Sequence, residues 1–295
     1  MAKLIFGCGY LGFRIAKLWR QRGESVLAVT RSAARSREFS VEGIEPLVGD
    51  ILSSGSNASA NWRFPADVDT VLFAVGYDRS SRHAIHDVYV EGLRHVLESL
   101  PGSVQRFIYI SSTGVYGTVA GDWVNEDTAC QPTREGGKAC LAAENLLRSH
   151  PLGERSIILR LAGIYGPGRI SRAKDLLAGK LIDAPAAGYL NLIHVDDAAQ
   201  IVLLCDERAA LPSLYVVSDG QPVVRSEYYK LFAQLLNAPP PQFAAPPPDS
   251  PAAQRAGSDK RVNAARLMRE LNPALLHPSY REGLAAIVAE DSNSS

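Results

Sequence analysis

Six residues near the start of the chain, Gly7-Cys8-Gly9-Tyr10-Leu11-Gly12, carry a spacing that can hold a pyrophosphate. Gly7 permits a tight turn. Gly9 lets backbone amides approach phosphate oxygens where a Cβ would intervene, and Gly12 lets the following helix pack close to a sheet. A helix N-terminus behind the loop adds unpaired amides and the positive end of its dipole. The alternative is a tight strand–helix turn that holds nothing. The apolar run before the loop and the helical spacing after it favour a bound dinucleotide, touched by Gly7, Cys8, Gly9, Tyr10, Leu11 and Gly12.

The next informative position is about 20 residues on, where an acidic side chain would hold the ribose diol of NAD. The sequence has Thr30, Arg31 and Ser32 there. Arg31 can pair bidentately with a 2′-phosphate, and Arg35 can assist. NADP is therefore expected ahead of NAD. Asp50 and Ile51 in VGDI are expected near the adenine, with turn capping as the alternative role for Asp50. Ala74, Val75 and Gly76, at the end of a later strand, complete the expected cofactor contacts.

These residues need a scaffold, and the sequence supplies one. Apolar runs at 3–8, 25–30, 44–48, 70–75, 106–111 and 156–161 read as buried strands. They alternate with helical patterns at 11–22, 82–100 and 135–149. Strand–helix alternation with continuous apolar strands predicts an α/β fold, a doubly wound parallel sheet covered on both faces. After Gly163 the rhythm changes. Short apolar pieces lie at 190–195, 202–205 and 214–218. A stretch with seven prolines at 238–251 reads as an irregular loop, and helices are expected at 262–271 and 280–289. The expected division is a Rossmann domain at 1–165 and a smaller, mainly substrate-binding C-terminal domain at 166–290, with segments returning to the sheet. Residues 291–295 read as a disordered tail.

Bulk properties exclude several function classes. The 31 basic and 31 acidic residues cancel, which gives no electrostatic case for nucleic acid or an anionic membrane. Cys8, Cys130, Cys140 and Cys205 form no CxxC pair and show no zinc-ligand spacing, so neither a metal nor a disulfide is expected. No apolar run approaches the roughly 18 residues of a membrane span. The glycines interrupt the first apolar stretch, so it does not read as a targeting signal. A cytoplasmic location is expected.

Further segments carry a family pattern: DVYVEGLRHVLES at 87–99, ISSTGVYG at 110–117, LRLAGIYGPGR at 159–169, NLIHVDDAAQ at 191–200 and YVVSDGQPVVRSEYY at 215–229. With the glycine loop and VGDI, they make the chain resemble the extended short-chain dehydrogenase/reductases, the NAD-dependent epimerase/dehydratase group. The resemblance implies a seven-strand Rossmann sheet, a smaller substrate domain built from discontinuous segments, and chemistry by a Ser/Thr with Tyr-x-x-x-Lys. It places the serine at Ser112 and the lysine at Lys138, where the ammonium would bind the nicotinamide ribose. The tyrosine position falls on Arg134, which stays protonated near neutral pH and cannot relay a proton. The first loop glycine of the usual pattern falls on Phe6. The chain thus resembles an atypical branch that lacks the active-site tyrosine. The resemblance also implies a homodimer through helices near 82–100 and 135–149.

Tyr116 is the candidate replacement acid, with a packed structural role as its alternative. Ser112 and Thr113 can instead only bridge cofactor and substrate. His194 reads as a buried, bonded histidine, and one of Asp196 and Asp197 as a helix cap. Arg134, Arg169 and Arg172 are candidates for an anionic substrate. The expected function is an NAD(P)-dependent oxidoreductase or epimerase acting on a small polar molecule, such as a nucleotide sugar, through a non-standard proton relay. The alternative is a cofactor-binding protein without turnover.

Overall fold

The computed structural model describes residues 1–52, 62, 64–117, 119–170, 172–247, 250, 253, 257 and 259–293. A seven-stranded sheet contains β1 (Ala2–Phe6), β2 (Ser25–Thr30), β3 (Glu45–Val48), β4 (Val68–Phe73), β5 (Arg106–Ser112), β6 (Ser156–Leu161) and β7 (Ser213–Val217). Their order is β7-β6-β5-β4-β1-β2-β3, and β1–β2, β2–β3, β1–β4 and β4–β5 pair in parallel. The order reverses between β1 and β4. Ligands bind at such a switch point, outside the carboxyl ends of the strands.

Among the described helices are α1 (Gly12–Gln21), α2 (Ala33–Val41), α3 (Gly92–Ser99), α4 (Glu135–Ser149), α5 (Val195–Arg208), α6 (Arg225–Leu235), α7 (Ala265–Leu271) and α8 (Tyr280–Asn293). The chain divides into two compact units. The first comprises residues 1–115, 135–160 and 199–215; the second comprises 116–134, 161–198 and 216–295.

The core of the first unit is made by the strand residues Leu4, Phe6, Leu27, Val71, Phe73, Phe107 and Tyr109, under Leu93, Val96 and Leu97 of α3 and Ala143 and Leu147 of α4. Each α3 side chain recurs at three or four residues, which puts one apolar stripe against the sheet. At the amino ends of the strands, Lys3 is buried. Its Nζ meets Asp206 Oδ2 at 3.0 Å and donates to Thr70 Oγ1 at 3.0 Å, while Trp19 Nε1 donates to Asp206 Oδ2 at 3.1 Å. The second unit has its own core, with Tyr165, Leu176, Tyr228, Phe232, Tyr280 and Leu284.

Three elements differ from the sequence expectation. The helix expected over 82–100 is a π-helical turn, Asp87–Glu91, followed by α3. The apolar piece at 202–205 lies inside α5, where Val202, Leu203 and Cys205 are all buried; a helix covered on most sides loses its polar face and its periodicity. The expected disordered tail begins at Asp291, but α8 continues through Asn293, and 294–295 lie outside the described residues. Within the proline-rich stretch, Phe243–Ala244 pairs in parallel with Ile182–Asp183; residues 248, 249, 251 and 252 lie outside the described residues.

Candidate active site

The three loop glycines behave as three different devices. Gly7 has φ +89°, and a Cβ on it would sit 2.4 Å from the carbonyl carbon and oxygen of Ala74. The turn after β1 is therefore pressed on the chain leaving β4, where Ala74 N donates to Phe6 O at 2.7 Å. A Cβ on Gly12 would lie 2.4 Å from Gly7 O, so α1 rises directly off the loop. A Cβ on Gly9 would meet nothing within 4 Å. Gly9 is thus not needed for internal packing; the space above it is what its missing side chain provides. The first turn of α1 contains no acidic residue, which suits an anion at its N-terminus. These features fit a dinucleotide pyrophosphate. Burial pushes the Cys8 thiol up to about 12, which keeps it neutral.

Thr30 ends β2, and its Oγ1 accepts from Ser32 N at 3.2 Å. Ser32 caps α2 through a bond from Arg35 N at 3.3 Å. Arg35 reaches back to the loop: its Nη2 donates to Cys8 O at 2.8 Å, and its guanidinium lies 5.2 Å and 5.1 Å from the rings of Phe13 and Phe39. Arg31 is exposed, and its charge helps to hold the Asp78 carboxyl below its ordinary value, after the hydrogen bonds from Ser80. Two arginines therefore flank the end of β2. Asp50 Oδ1 accepts from Leu52 N at 3.0 Å. Ile51 packs on Gly92, and its carbonyl meets His95 Nδ1 at 2.9 Å. Past Ala74 and Val75, Gly76 has open space where its Cβ would be.

The candidate catalytic residues are placed less uniformly. Ser112 ends β5 and its Oγ accepts from Gly114 N at 3.0 Å. Tyr116 closes the 3-10 turn Thr113–Tyr116 that follows, with 1% of its surface exposed. Lys138 is on the outer face of α4; its side chain is 55% exposed and its Nζ donates to Glu135 at 2.8 Å. The inner face of α4 carries Cys140 and Glu144, one turn apart. Arg134, directly before α4, is half-buried.

The brace of β5 was not apparent from the sequence. Ser111, next to Ser112, donates to Glu144 Oε1 at 2.6 Å. Arg160 on β6 grips the same carboxylate through Nε at 3.0 Å and Nη2 at 2.7 Å, and Arg148 Nη2 adds a bond at 2.8 Å. Burial alone would raise this carboxyl, but Arg160, Ser111 and Arg148 together hold it below its ordinary value. The only available sequence signal was a glutamate on an otherwise apolar helix face.

In the second unit, ligand atoms of His194, Asp197 and His277 lie within 4.8 Å of one another. Asp197 is not confined to the start of α5: its carboxylate accepts from Leu276 N at 2.6 Å and His277 N at 3.0 Å, tying down the chain before α8. His194 is buried, and its Nδ1 accepts from Asp196 N at 3.3 Å. Asp219 is also buried, and its Oδ2 has no hydrogen-bond partner among the described residues. Burial first, then Asp197 and Glu282, raise its pKa to about 7.

The model of the NAD dependent epimerase/dehydratase family matches residues 4–217, and the chain belongs to that family. It is similar to Protein YeeZ of Escherichia coli (strain K12), with 26% identity over 93% of this chain and 95% of the relative. It is similar to a 3-diazoavenalumate denitrifying reductase of Streptomyces sp, with 27% identity over 96% of this chain and 99% of the relative. Among solved structures, UDP-glucose 4-epimerase of Thermotoga maritima with UDP-glucose matches all of this chain and 99% of its own at TM-score 0.79 and 17% identity, a likeness of fold. The chain is thus an NAD(P)-dependent enzyme of the oxidoreductase/epimerase type with a nicotinamide cofactor. Among the described residues, no helix is long and apolar enough to cross a membrane.

Proposed function

We propose that this member of the family is an NADP-preferring oxidoreductase acting on a small polar substrate, with nucleotide sugars as one class to test. The observation that carries the reading is the pair of arginines at the end of β2, beside the glycine loop. Arg31 is exposed there, and Arg35 is anchored to Cys8 O, with its guanidinium 5.2 Å and 5.1 Å from the centroids of the stacked Phe13 and Phe39 rings. A planar guanidinium fork matches a phosphate monoester, whereas a ribose diol calls for a carboxylate.

The cofactor supplies hydride exchange; the chain supplies binding and orientation. Gly9 leaves room for the pyrophosphate, and the N-terminus of α1 faces its charge. Ser112, braced through Ser111 and Glu144, holds a substrate oxygen at the end of β5. Lys138 must leave Glu135 to reach a ribose hydroxyl. Tyr116 is positioned by burial, and Arg134 cannot relay protons. The reaction therefore runs without the usual tyrosine. The similarity to a reductase supports hydride transfer as the core step.

The test is fluorescence titration with NADPH and NADH in parallel, on the wild-type protein and Arg31→Ala. The expected result is preference for NADPH, reduced roughly ten- to a hundredfold by the substitution, with NADH affinity unchanged. Equal affinity for both cofactors in the wild-type protein would contradict the NADP assignment.

A further inference from the structure

The carboxylate of Asp197 has no exposed surface, and among the described residues no lysine or arginine lies within ion-pairing distance of it. Buried carboxylates are paired with cations or coordinate metals. Glu144 follows the first course, through Arg160 and Arg148. Around Asp197 the chain instead gathers histidines. His277 Nδ1 lies 3.3 Å from Asp197 Oδ2, and the imidazole rings of His277 and His194 are in contact, with centroids 3.8 Å apart and planes at 36°. Two imidazoles in contact repel one another when both are protonated, whereas both can donate a lone pair to one ion.

A different segment of the second unit fixes each donor. Asp197 is in the first turn of α5, and the bonds from Leu276 N and His277 N, in the turn between α7 and α8, orient its carboxylate as outer hydrogen bonds orient metal ligands. His194 ends the strand Leu192–His194, which pairs in parallel with Gly163–Tyr165, and the Tyr165 ring meets it edge-on at 5.2 Å. Asp196 N lies 3.3 Å from its Nδ1, so Nε2 is its ligand nitrogen in such a site. Asp219 N donates to Leu192 O at 2.8 Å, which brings a second buried carboxyl to the same strand; burial first, then Asp197 and Glu282, raise its pKa to about 7. A cation is favoured in these surroundings. Two ligands each about 2.0–2.1 Å from a tetrahedral zinc ion stand roughly 3.3–3.4 Å apart. The Asp197–His277 pair has that spacing, and the ligand atoms of all three residues lie within 4.8 Å of one another. His277 keeps 16% of its side chain exposed, next to the exposed Leu276, so an ion has a path in from solvent.

We propose that His194, Asp197 and His277 bind a divalent transition-metal ion of the zinc type, with water in the fourth position. Two imidazole nitrogens and one carboxylate oxygen are a recurrent zinc donor set. The ion takes the place of the proton between His277 and Asp197 and links the strand at 192–194, the start of α5 and the turn before α8. Magnesium, which prefers an octahedron of oxygen ligands, does not bind there. The site shares no residue with the glycine loop and does not depend on the cofactor reading.

The test uses the full chain stripped with a chelator. Cobalt(II) chloride is titrated with visible absorption as the readout, and thermal unfolding is followed with zinc chloride against magnesium chloride at constant ionic strength. Wild-type protein, His277→Ala, His277→Cys, Asp197→Asn and Cys130→Ser are compared. The wild-type protein is expected to bind one cobalt ion with the intense visible bands of a four-coordinate site. Zinc, but not magnesium, raises its unfolding midpoint by at least about 3 °C at a hundredfold excess over Kd. His277→Ala and Asp197→Asn weaken binding at least about tenfold, and Cys130→Ser leaves it unchanged. His277→Cys retains binding and adds the near-ultraviolet band of a thiolate on cobalt, a signature that a merely structural histidine would not produce. Should Asp197→Asn fail to fold, the two His277 variants decide. The proposal is overturned if the wild-type protein binds neither ion, if His277→Ala binds as tightly as wild type, or if Cys130→Ser abolishes binding.

Discussion

Glu144 in the first unit and Asp219 in the second are both buried carboxyl groups, and their titration is shifted in opposite directions. Glu144 is fully buried yet held below the ordinary carboxylate range by Arg160, Ser111 and Arg148. Asp219 accepts from Gln221 N at 2.9 Å, and is raised to about 7 by burial and by Asp197 and Glu282. Lys3 and Lys260 repeat the contrast. Lys3 is flanked by Asp206 and Asp69 at 3.0 and 3.4 Å, whereas Lys260 donates to Gly117 O at 3.3 Å and has its pKa lowered to about 8 by burial and the Arg134 charge, against the pull of Asp259. The first unit neutralises its buried charges within the chain, which suits a rigid platform for a cofactor. In the second, burial shifts Asp219 and Lys260 toward their neutral forms, a pattern common at sites that bind or exchange charge.

Removing the compensation in the first unit should have the largest effect. Glu144→Leu leaves the Arg160 guanidinium buried opposite an apolar side chain, and should cost about 3–5 kcal/mol in urea denaturation. A loss below about 1 kcal/mol would show that the network is not what holds α4 on β5 and β6.

A smaller, pH-dependent effect is expected in the second unit. The folded pKa of Asp219 lies above its unfolded value, so the folded state binds the proton more tightly. The stability contributed by protonated Asp219 is fully present below about pH 3.8 and is lost as pH rises through about 7. Asp219→Asn keeps the acceptor for Gln221 and removes the charge. The variant should match wild-type stability near pH 4 and exceed it at pH 8. Equal stability at both values would place the Asp219 proton elsewhere in the cluster.

The same contrast explains what could be read from the sequence. The strands at 25–30 and 156–161 and helix α4 fall where their apolar patterns place them, because continuous burial writes itself into consecutive residues. Helix α2 was not seen: of AARSREFSV only Phe39 is buried, so there is no stripe to detect. The glycine loop was legible because its chemistry is local, six residues in a row. Asp197 and His277 lie far apart in the chain, and nothing in the type or neighbours of His277 announces that the two meet. Likewise, Lys138 fits a spacing rule, but the structure puts it on the exposed face of α4, while Cys140 and Glu144 face inward.

We propose that the open space above Gly9 receives the pyrophosphate of a nicotinamide dinucleotide. Gly9→Val tests it most directly, because a Cβ at this position meets nothing within 4 Å in the protein itself. The measurement is NADPH titration by fluorescence, alongside urea unfolding, for the wild-type protein and this variant. The expected result is an unfolding free energy within about 0.5 kcal/mol of wild type, with NADPH affinity reduced at least about tenfold. Undiminished NADPH binding by a folded Gly9→Val protein, or no binding by the wild-type protein, would contradict it.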